Sequence, residues 1–432
     1  MGKSLKIGIA GLGTVGAATA RILIDKTDHL LARSGCNLQL TSVCARDRLK
    51  DRGIDLSKFI WHDDPVALAA SPDIDIFVEL IGGEDGPALD AINAALDSGK
   101  HVVTANKALI ATHGEMLAEK AERKNLAIGY ESAVAGGIPV INAIRDSLAG
   151  NKVSRIFGIL NGTCNYILTR MEKDQLSFAD ALTEAQSLGY AEADPTFDVA
   201  GNDTAHKLAI LTSLAFGTKI NLDAVYIEGI EKITPEDIIA AARLGYAIKL
   251  LGVALKTDSG IEQRVHPTLV LRSALIAQVS GVTNAVAIDG DEVGEVLLVG
   301  AGAGGDATAS AVIGDLIGIG FGQVRPVFGQ PESSMKPHIQ ARLRAHEGGY
   351  FIRLNVHDHP GAFAAIAARM AEQDISLEHI VQHHEDHDAD SGRQSVTIIT
   401  HETMEEHVRA ALSAIREDGH IDNEPQMIRI ER

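Results

Sequence analysis

The chain reads as an α/β protein: a Rossmann-type, doubly wound parallel sheet first, an α+β middle, and a small ferredoxin-like domain last. Three observations predict this. Short apolar runs alternate with amphipathic segments through roughly the first 130 residues. A glycine-rich turn at 11–16 sits between a strand-like run and a helix. The last ~85 residues follow a strand, helix, strand, strand, helix, strand order.

Residues 5–10, 38–45, 74–81, 101–105 and 126–129 are nearly continuous apolar runs, the pattern of strands buried on both faces. Segments 15–33, 87–98 and 108–124 carry helical periodicity between them, so right-handed crossovers should join a parallel sheet in a first domain at 1–134. Helices expected at 139–148, 178–188 and 204–216 then mix with strands at 153–160 and 285–288, giving a second domain at 135–320. Within it, 300–320 is a glycine-rich turn followed by a helix from about Ala307 that packs back on the first domain. Residues 321–346 lack period and read as a linker. In 347–432, strands are expected at 350–356, 376–382, 394–400 and 427–431, with helices at 363–373 and 404–417.

Bulk properties bound the function. A chain of 432 residues with 45% hydrophobic content is too long for one ordinary core and suits an enzyme of two or three domains. A net charge of −19 argues against nucleic acid or an anionic membrane as partner. The three cysteines, Cys36, Cys44 and Cys164, lack C-x-x-C spacing, which excludes a thiolate zinc site and points to a reducing cytoplasm. No apolar run reaches membrane-spanning length, and the strand beginning near Leu5 leaves no room for a signal peptide.

The densest chemistry lies at 189–207. Glu192, Asp194, Asp198 and Asp203 precede Lys207 on a helix that is otherwise apolar on nearly all sides, so the charges must face a cleft. Asp203 and Lys207 are four apart and share a face; the bland alternative is an exposed ion pair worth a few tenths of a kcal/mol. Gly11, Leu12, Gly13, Thr14, Val15 and Gly16 form a dinucleotide fingerprint in its proper strand-to-helix setting. At the end of the second strand, Arg46 favours the 2′-phosphate of NADP, while Asp47 keeps NAD open. Thr104 and Lys107 follow the fourth expected strand at the sheet's carboxyl edge, where such folds bind ligands. A lysine there opposes the helix dipole, so a purely structural role gains little. Cys164, near a helix start, has two readings, thiolate nucleophile or packing residue, of which packing is favoured. His379, His383, His384 and His387 with Glu385, Asp386 and Asp388 are read as a solvated loop rather than a metal site.

These motifs, with ELIGG at 79–83, TANKALIA at 104–111, ESAVAGGIPVI at 131–141, GILNGTCNYIL at 158–168 and GAGAGGDATASAV at 300–312, resemble three-domain homoserine dehydrogenase along essentially the whole chain. The tail, with HDHPGAFAAIAARMAEQDIS at 357–376, is similar to an ACT domain. The resemblance implies interconversion of L-homoserine and L-aspartate 4-semialdehyde with NADP or NAD. It assigns 135–320 as a catalytic and dimerisation domain, 347–432 as a regulatory one, and a homodimer or homotetramer as the assembly. It implies Lys207 as general acid/base, assisted by Lys107 and Asp203, and Glu192, Asp198, Asp203 and Lys207 as substrate residues. It further implies a sodium-type monovalent cation held largely by backbone carbonyls of Glu131, Val134, Gly136 and Ile138, and a turn around Gly304 close to the cofactor. L-Threonine is the implied effector, near 358–361. Two other readings stand beside it: a thiol-acylating semialdehyde dehydrogenase using Cys164, and a non-catalytic, NADP-dependent amino-acid sensor.

Overall fold

The structure is a computed structural model that describes residues 3–341, 347–357, 359–383, 393–421 and 424–431. Six parallel strands, β1 (Lys3–Ala10), β2 (Cys36–Cys44), β3 (Ile60–His62), β4 (Ile76–Glu79), β5 (His101–Thr104) and β6 (Ile128–Gly129), lie in the order β3-β2-β1-β4-β5-β6. The chain leaves β1 in one direction and returns on its other side, so the crevice beyond the carboxyl ends of β1 and β4 is the ligand position of such sheets. Helices α1 (Thr14–Asp25), α2 (Thr27–Ser34), α3 (Pro65–Ala70), α4 (Pro87–Asp97) and α5 (Lys107–Arg123) cover its faces. The single helix expected at 15–33 is two. Thr27 donates its hydroxyl to Leu23 O at 2.9 Å and Ile24 O at 3.1 Å, a back-bond of the kind that bends helices where the chain breaks at Lys26. The expected strand at 74–81 shortens to β4 because Glu79 turns its carboxylate onto the amides of Ile81 (2.7 Å) and Gly82 (3.0 Å). β3 and α3 were not anticipated; β3 is a three-residue edge strand with no fully buried position, although Asp64 capping a helix with Pro65 at its start is a legible signal.

The second sheet contains β7 (Val153–Ile159), β8 (Val225–Ile227), β9 (Tyr246–Thr257), β10 (Gly260–Leu271), β11 (Thr283–Gly290) and β12 (Gly294–Ala301), with the path β12-β11-β7-β9-β10 and β8 beside β10. Between its strands run α6 (Val140–Asn142), which passes into a π-helical turn at Ala143–Ser147, then α7 (Gly162–Asp174), α8 (Phe178–Ser187), α9 (Thr196–Val199), α10 (Asn202–Phe216) and α11 (Pro235–Arg243). The long β9–β10 hairpin had no counterpart in the sequence reading. It is buried on both faces, so it lacks period-2 alternation, and Lys249, Gln263, Arg264 and His266 interrupt its apolar runs. α12 (Gly305–Gly320) returns to the first domain and packs on α1, where Val312, Leu316 and Ile319 share a core with Ile7, Leu23 and Leu38.

Residues 321–341 are not a free linker. Val327 and Phe328 are buried, Tyr130 donates its hydroxyl to Val327 O at 2.9 Å, and Lys336 and Gln340 bridge to Thr218 and Ile261. Apolar residues set among polar ones strap the two domains together.

The tail comprises β13 (Glu347–His357), α13 (Ala362–Glu372), β14 (Leu377–His383), β15 (Arg393–Thr400), β16 (Thr403–Met404), α14 (Glu405–Glu417) and β17 (Gln426–Glu431), with the ferredoxin-like order β17-β13-β15-β14. It is not a separate unit, because β17 pairs in parallel with β10 and the two sheets run on as one. Arg353 meets buried Asp237 at 2.5 Å across this seam. His379 stands in β14 rather than in a loop; residues 384–392, with His384, Glu385, Asp386, His387 and Asp388, lie outside the described residues, as does the side chain of His383.

Lys249, 2% exposed, donates to Val279 O at 2.7 Å and among the described residues has no carboxylate in hydrogen-bond reach. Burial lowers its pKa to about 8 from 10.5. Between these two values the unfolded chain binds more protons than the folded one, so stability rises with pH across that window. At roughly 1.4 kcal/mol per pKa unit the gain is about 3 kcal/mol. Denaturant unfolding at pH 8 and pH 10 is expected to show an increase that Lys249→Met lacks; equal pH responses of the two proteins would contradict it.

Candidate active site

The cofactor loop follows directly from the fold. Gly11 has φ +95, and a Cβ there would lie 2.2 Å from Leu80 O, while one on Gly16 would lie 1.8 Å from Gly11 O; both must be glycine for the turn to close. A Cβ on Gly13 would meet nothing within 4 Å, which leaves that backbone open to a ligand. The first-turn amides of α1, from Thr14, Val15 and Gly16, have no intrahelical acceptors and form an anion site. Buried Leu12 fixes the loop through its carbonyl, which accepts from Arg52 Nε at 3.1 Å.

Beyond β2, Arg46 and Arg48 are exposed, and Arg48 and Arg52 lie 5.6 and 6.0 Å from the Trp61 ring centroid. Asp47 accepts from the amides of Leu49 (2.8 Å) and Lys50 (3.2 Å), so its carboxylate caps a turn. Arg48 and Arg52 escaped the sequence reading, although the alternation Arg46, Arg48, Lys50, Arg52 was there to find.

The Thr104 hydroxyl donates to Glu79 Oε2 at 2.5 Å and accepts from Asn106 N at 3.0 Å, fastening β5 to β4. Its buried side chain lies outside the cavity described next. Asn106 caps α5 by accepting from Leu109 N at 3.1 Å, which makes Lys107 the first helical residue and turns it toward the second domain.

There the carboxyl edge of the first sheet meets the start of α10 around a cavity of about 780 Å³. Lys107, Asn161, Thr163, Asp198, Asp203, Lys207 and Gly304 are among its lining residues. Lys207 donates to Asp203 Oδ2 at 2.7 Å and to Leu160 O at 2.7 Å. Lys107 reaches the other oxygen, Asp203 Oδ1, at 3.0 Å and lies 5.9 Å from the Phe197 ring centroid. Asn161 caps α7 by accepting from Cys164 N at 2.8 Å. It also donates to Asp198 Oδ1 and Asp203 Oδ2, each at 2.8 Å, and so ties the two acids together. Thr163 adds a hydrogen bond to Asp198 Oδ2 at 3.2 Å. Burial alone would raise the Asp203 pKa, but Lys207, Lys107 and Asn161 reverse this and hold it far below the usual carboxylate range. Asp198 is raised, by burial and then by the Asp203 charge. Lys207 and Asp203 are thus a desolvated pair rather than a solvated surface one. Glu192 is exposed and is not among the cavity's lining residues. Asn161 was missed as a site residue; an Asn immediately before an expected helix is the signal that marks it.

The loop 131–138 lies against the same cavity. The Glu131 carboxylate is occupied by the amides of Ile141 and Asn142, each at 2.8 Å, and burial with the nearby Asp315 raises its pKa to about 7. Ala135 and Gly136 have φ +56 and +54, and a Cβ on Gly136 would lie 2.4 Å from Gly302 O. Ile138 O already accepts from Val140 N at 2.8 Å. Among the described residues no cluster of three or more His, Cys, Asp or Glu could hold a metal ion.

Residues 139–317 match the family described as homoserine dehydrogenase, and 11–131 match its NAD-binding domain. The homoserine dehydrogenase of Neisseria gonorrhoeae is 43% identical over 435 residues, covering 99% of each chain. The chain belongs to the homoserine dehydrogenase family. It is an oxidoreductase whose residues 350–419 match the ACT domain. The solved homoserine dehydrogenase of Thiobacillus denitrificans superposes with a TM-score of 0.92 at 39% identity, covering 99% of this chain and 98% of that one. A hyperthermophilic archaeal homoserine dehydrogenase solved with NADPH matches at a TM-score of 0.64 and 28% identity, covering 74% of this chain and all of its own. A nicotinamide dinucleotide fits the open face of Gly13.

Family membership and geometry together remove the two rival readings. Cys164 is buried, donates to Asp198 O at 3.2 Å, and has its pKa pushed well above the ordinary thiol value by burial and then by Asp198 and Asp203. A thiol held protonated is no acylation nucleophile. A sensor without catalysis is inconsistent with homoserine dehydrogenase matches that between them cover Lys107, Asn161, Asp198, Asp203 and Lys207. Among the described residues no helix is long and apolar enough to cross a membrane.

Proposed function

We propose that the chain interconverts L-homoserine and L-aspartate 4-semialdehyde, with Lys207 as general acid/base and NADP as preferred cofactor. The observation that carries the proton assignment is the pairing of Lys207 and Lys107 with opposite oxygens of Asp203 at one cavity wall. An ammonium has three donors, and two of those on Lys207 are taken by Asp203 and Leu160, which leaves one for the substrate's oxygen. A nicotinamide held at the Gly11–Gly16 loop would supply or accept the hydride; Lys207 is placed to give its proton to the substrate oxygen in the reduction and to take it back in the oxidation. Lys107, beside the same carboxylate, stabilises charge on that oxygen. Asp198 faces the cavity and suits the substrate's ammonium group. Glu192 is retained as a substrate residue by family resemblance alone.

The NADP preference rests on the Arg46, Arg48 and Arg52 group and on Asp47, whose carboxylate is engaged in a turn instead of offering itself to a ribose hydroxyl. A hydrogen bond to a charged group contributes about 1.5–3 kcal/mol, so the doubly substituted Arg46→Ala, Arg48→Ala protein should raise KM for NADPH about tenfold or more. KM for NADH should change little. Steady-state assays at 340 nm with both cofactors test this, and equal KM changes for the two would contradict it. The same assay with added threonine tests the effector reading. Asp358 lies outside the described residues, but the continuity of β17 with β10 supports transmission from the tail to α10, which packs on β9 and β10. Replacing sodium with choline in that assay tests the monovalent cation, for which Glu131, Val134, Gly136 and Ile138 would supply carbonyl oxygens. A homodimer or homotetramer is the proposed assembly, read by sedimentation, and the buried, free cysteines suit a reducing cytoplasm.

A further inference from the structure

We infer that Asn284 is a positioning residue for the bound cofactor, its side-chain amide hydrogen-bonding the backbone of the 302–304 turn once the dinucleotide fills the cavity. Asn284 stands on β11 opposite Gly300 of β12 and is 1% exposed. Neither Oδ1 nor Nδ2 has a hydrogen-bond partner among the described residues. A buried amide in that condition costs roughly 1–3 kcal/mol, and folds rarely keep one without a use for it.

The surroundings identify the use. The amide lies flat on Gly302: a Cβ built there would fall 2.0 Å from Asn284 Cγ and 2.1 Å from Nδ2. On the side of the substrate residues, a Cβ on Gly162 would lie 3.6 Å from Asn284 Oδ1. Gly162, Thr283 and Gly302 line the cavity, so Asn284 lies one layer behind its wall, between the turn that leads to the cofactor loop and the helix start that carries Asn161. The turn can move at small torsional cost, since Gly300, Gly302, Gly304 and Gly305 fall within six residues and Gly304 has φ +114. Its far end already touches the cofactor loop, where a Cβ on Gly305 would lie 2.9 Å from Thr14 Cγ2. A dinucleotide pressing on this turn shifts peptide groups past the amide, which offers them two N–H donors and an acceptor oxygen. The inference rests on the reading that the cofactor lies against this turn.

Two variants test both. Asn284→Leu is nearly isosteric and removes an unpaired amide, so the melting temperature of the free protein should hold or rise. Its NADPH affinity, titrated by NADPH fluorescence, should fall about tenfold, and kcat for semialdehyde reduction should fall with it. Gly304→Ala adds a Cβ that meets nothing but strains the backbone, and it should also weaken NADPH binding. Weakened binding in Gly304→Ala with wild-type affinity and kcat in Asn284→Leu would overturn the inference alone. Wild-type affinity in both would overturn it together with the placement of the cofactor at the turn. A lower melting temperature for free Asn284→Leu would mark the amide as structural and overturn it as well.

Discussion

Asp203→Ala is expected to abolish measurable turnover and to lower stability by about 3 kcal/mol, the usual cost of stripping one partner from a buried ion pair. The effect should be large because one carboxylate serves three groups: Lys207 at 2.7 Å, Lys107 at 3.0 Å and Asn161 at 2.8 Å. Its removal strips Lys107 and Lys207 of their shared ion-pair partner and leaves the Asn161 amide donating to Asp198 alone. Asp203→Asn keeps the shape and an acceptor but removes the charge, so it should recover only the smaller part of the stability that shape and hydrogen bonding supply, and little of the activity. Chemical denaturation and steady-state kinetics on the pair separate these contributions; equal stability loss in both would show that the charge alone carries the stabilisation and that shape adds nothing. Because the Asp203 pKa is depressed in the fold, its stabilisation is present above the ordinary carboxylate value and is lost in acid. Wild type should therefore lose stability below about pH 4 more steeply than the Asn variant does.

Lys207→Met is expected to lower kcat by roughly 10²–10⁴-fold, the range for a positioned general acid/base, while the KM for the cofactor stays within about threefold. The Gly11 loop and the arginines beyond β2 do not touch Lys207, and Asp203 keeps its charge partner in Lys107. Lys107→Met should cost less, because Lys107 is more exposed than Lys207 and among the described residues has one acid partner but no carbonyl anchor of the kind Leu160 gives Lys207. A kcat loss in Lys107→Met equal to or greater than that in Lys207→Met would reverse their roles.

The parts of this site that the sequence made legible are those written in consecutive residues. The glycines at 11, 13 and 16, the acids before Lys207 and the strand-helix order of the tail each carry their own local signal. What stayed hidden depends on long-range placement. Lys107 and Asp203 are ninety-six positions apart (203 − 107) and meet only when the first domain is set against α10. Asn161 carries only a helix-start signal in the sequence, whereas in the fold its side-chain amide donates to both Asp198 and Asp203. The β9–β10 hairpin is hidden in the sequence because Lys249, Arg264 and His266 are polar yet buried: Lys249 donates to Val279 O, while Arg264 pairs with Glu262 and His266 with Thr268 inside the hairpin. Thr104 illustrates the converse: its position at the sheet edge was read rightly, but its hydroxyl turned inward to Glu79.

The central claim is that Lys207 moves the proton that accompanies hydride transfer. Single-turnover absorbance at 340 nm, with Lys207→Met saturated with NADP and mixed with homoserine, isolates that step from binding and product release. A hydride-transfer rate at least a hundredfold below wild type, with unchanged cofactor affinity, is the predicted result. A rate within about threefold of wild type would contradict it.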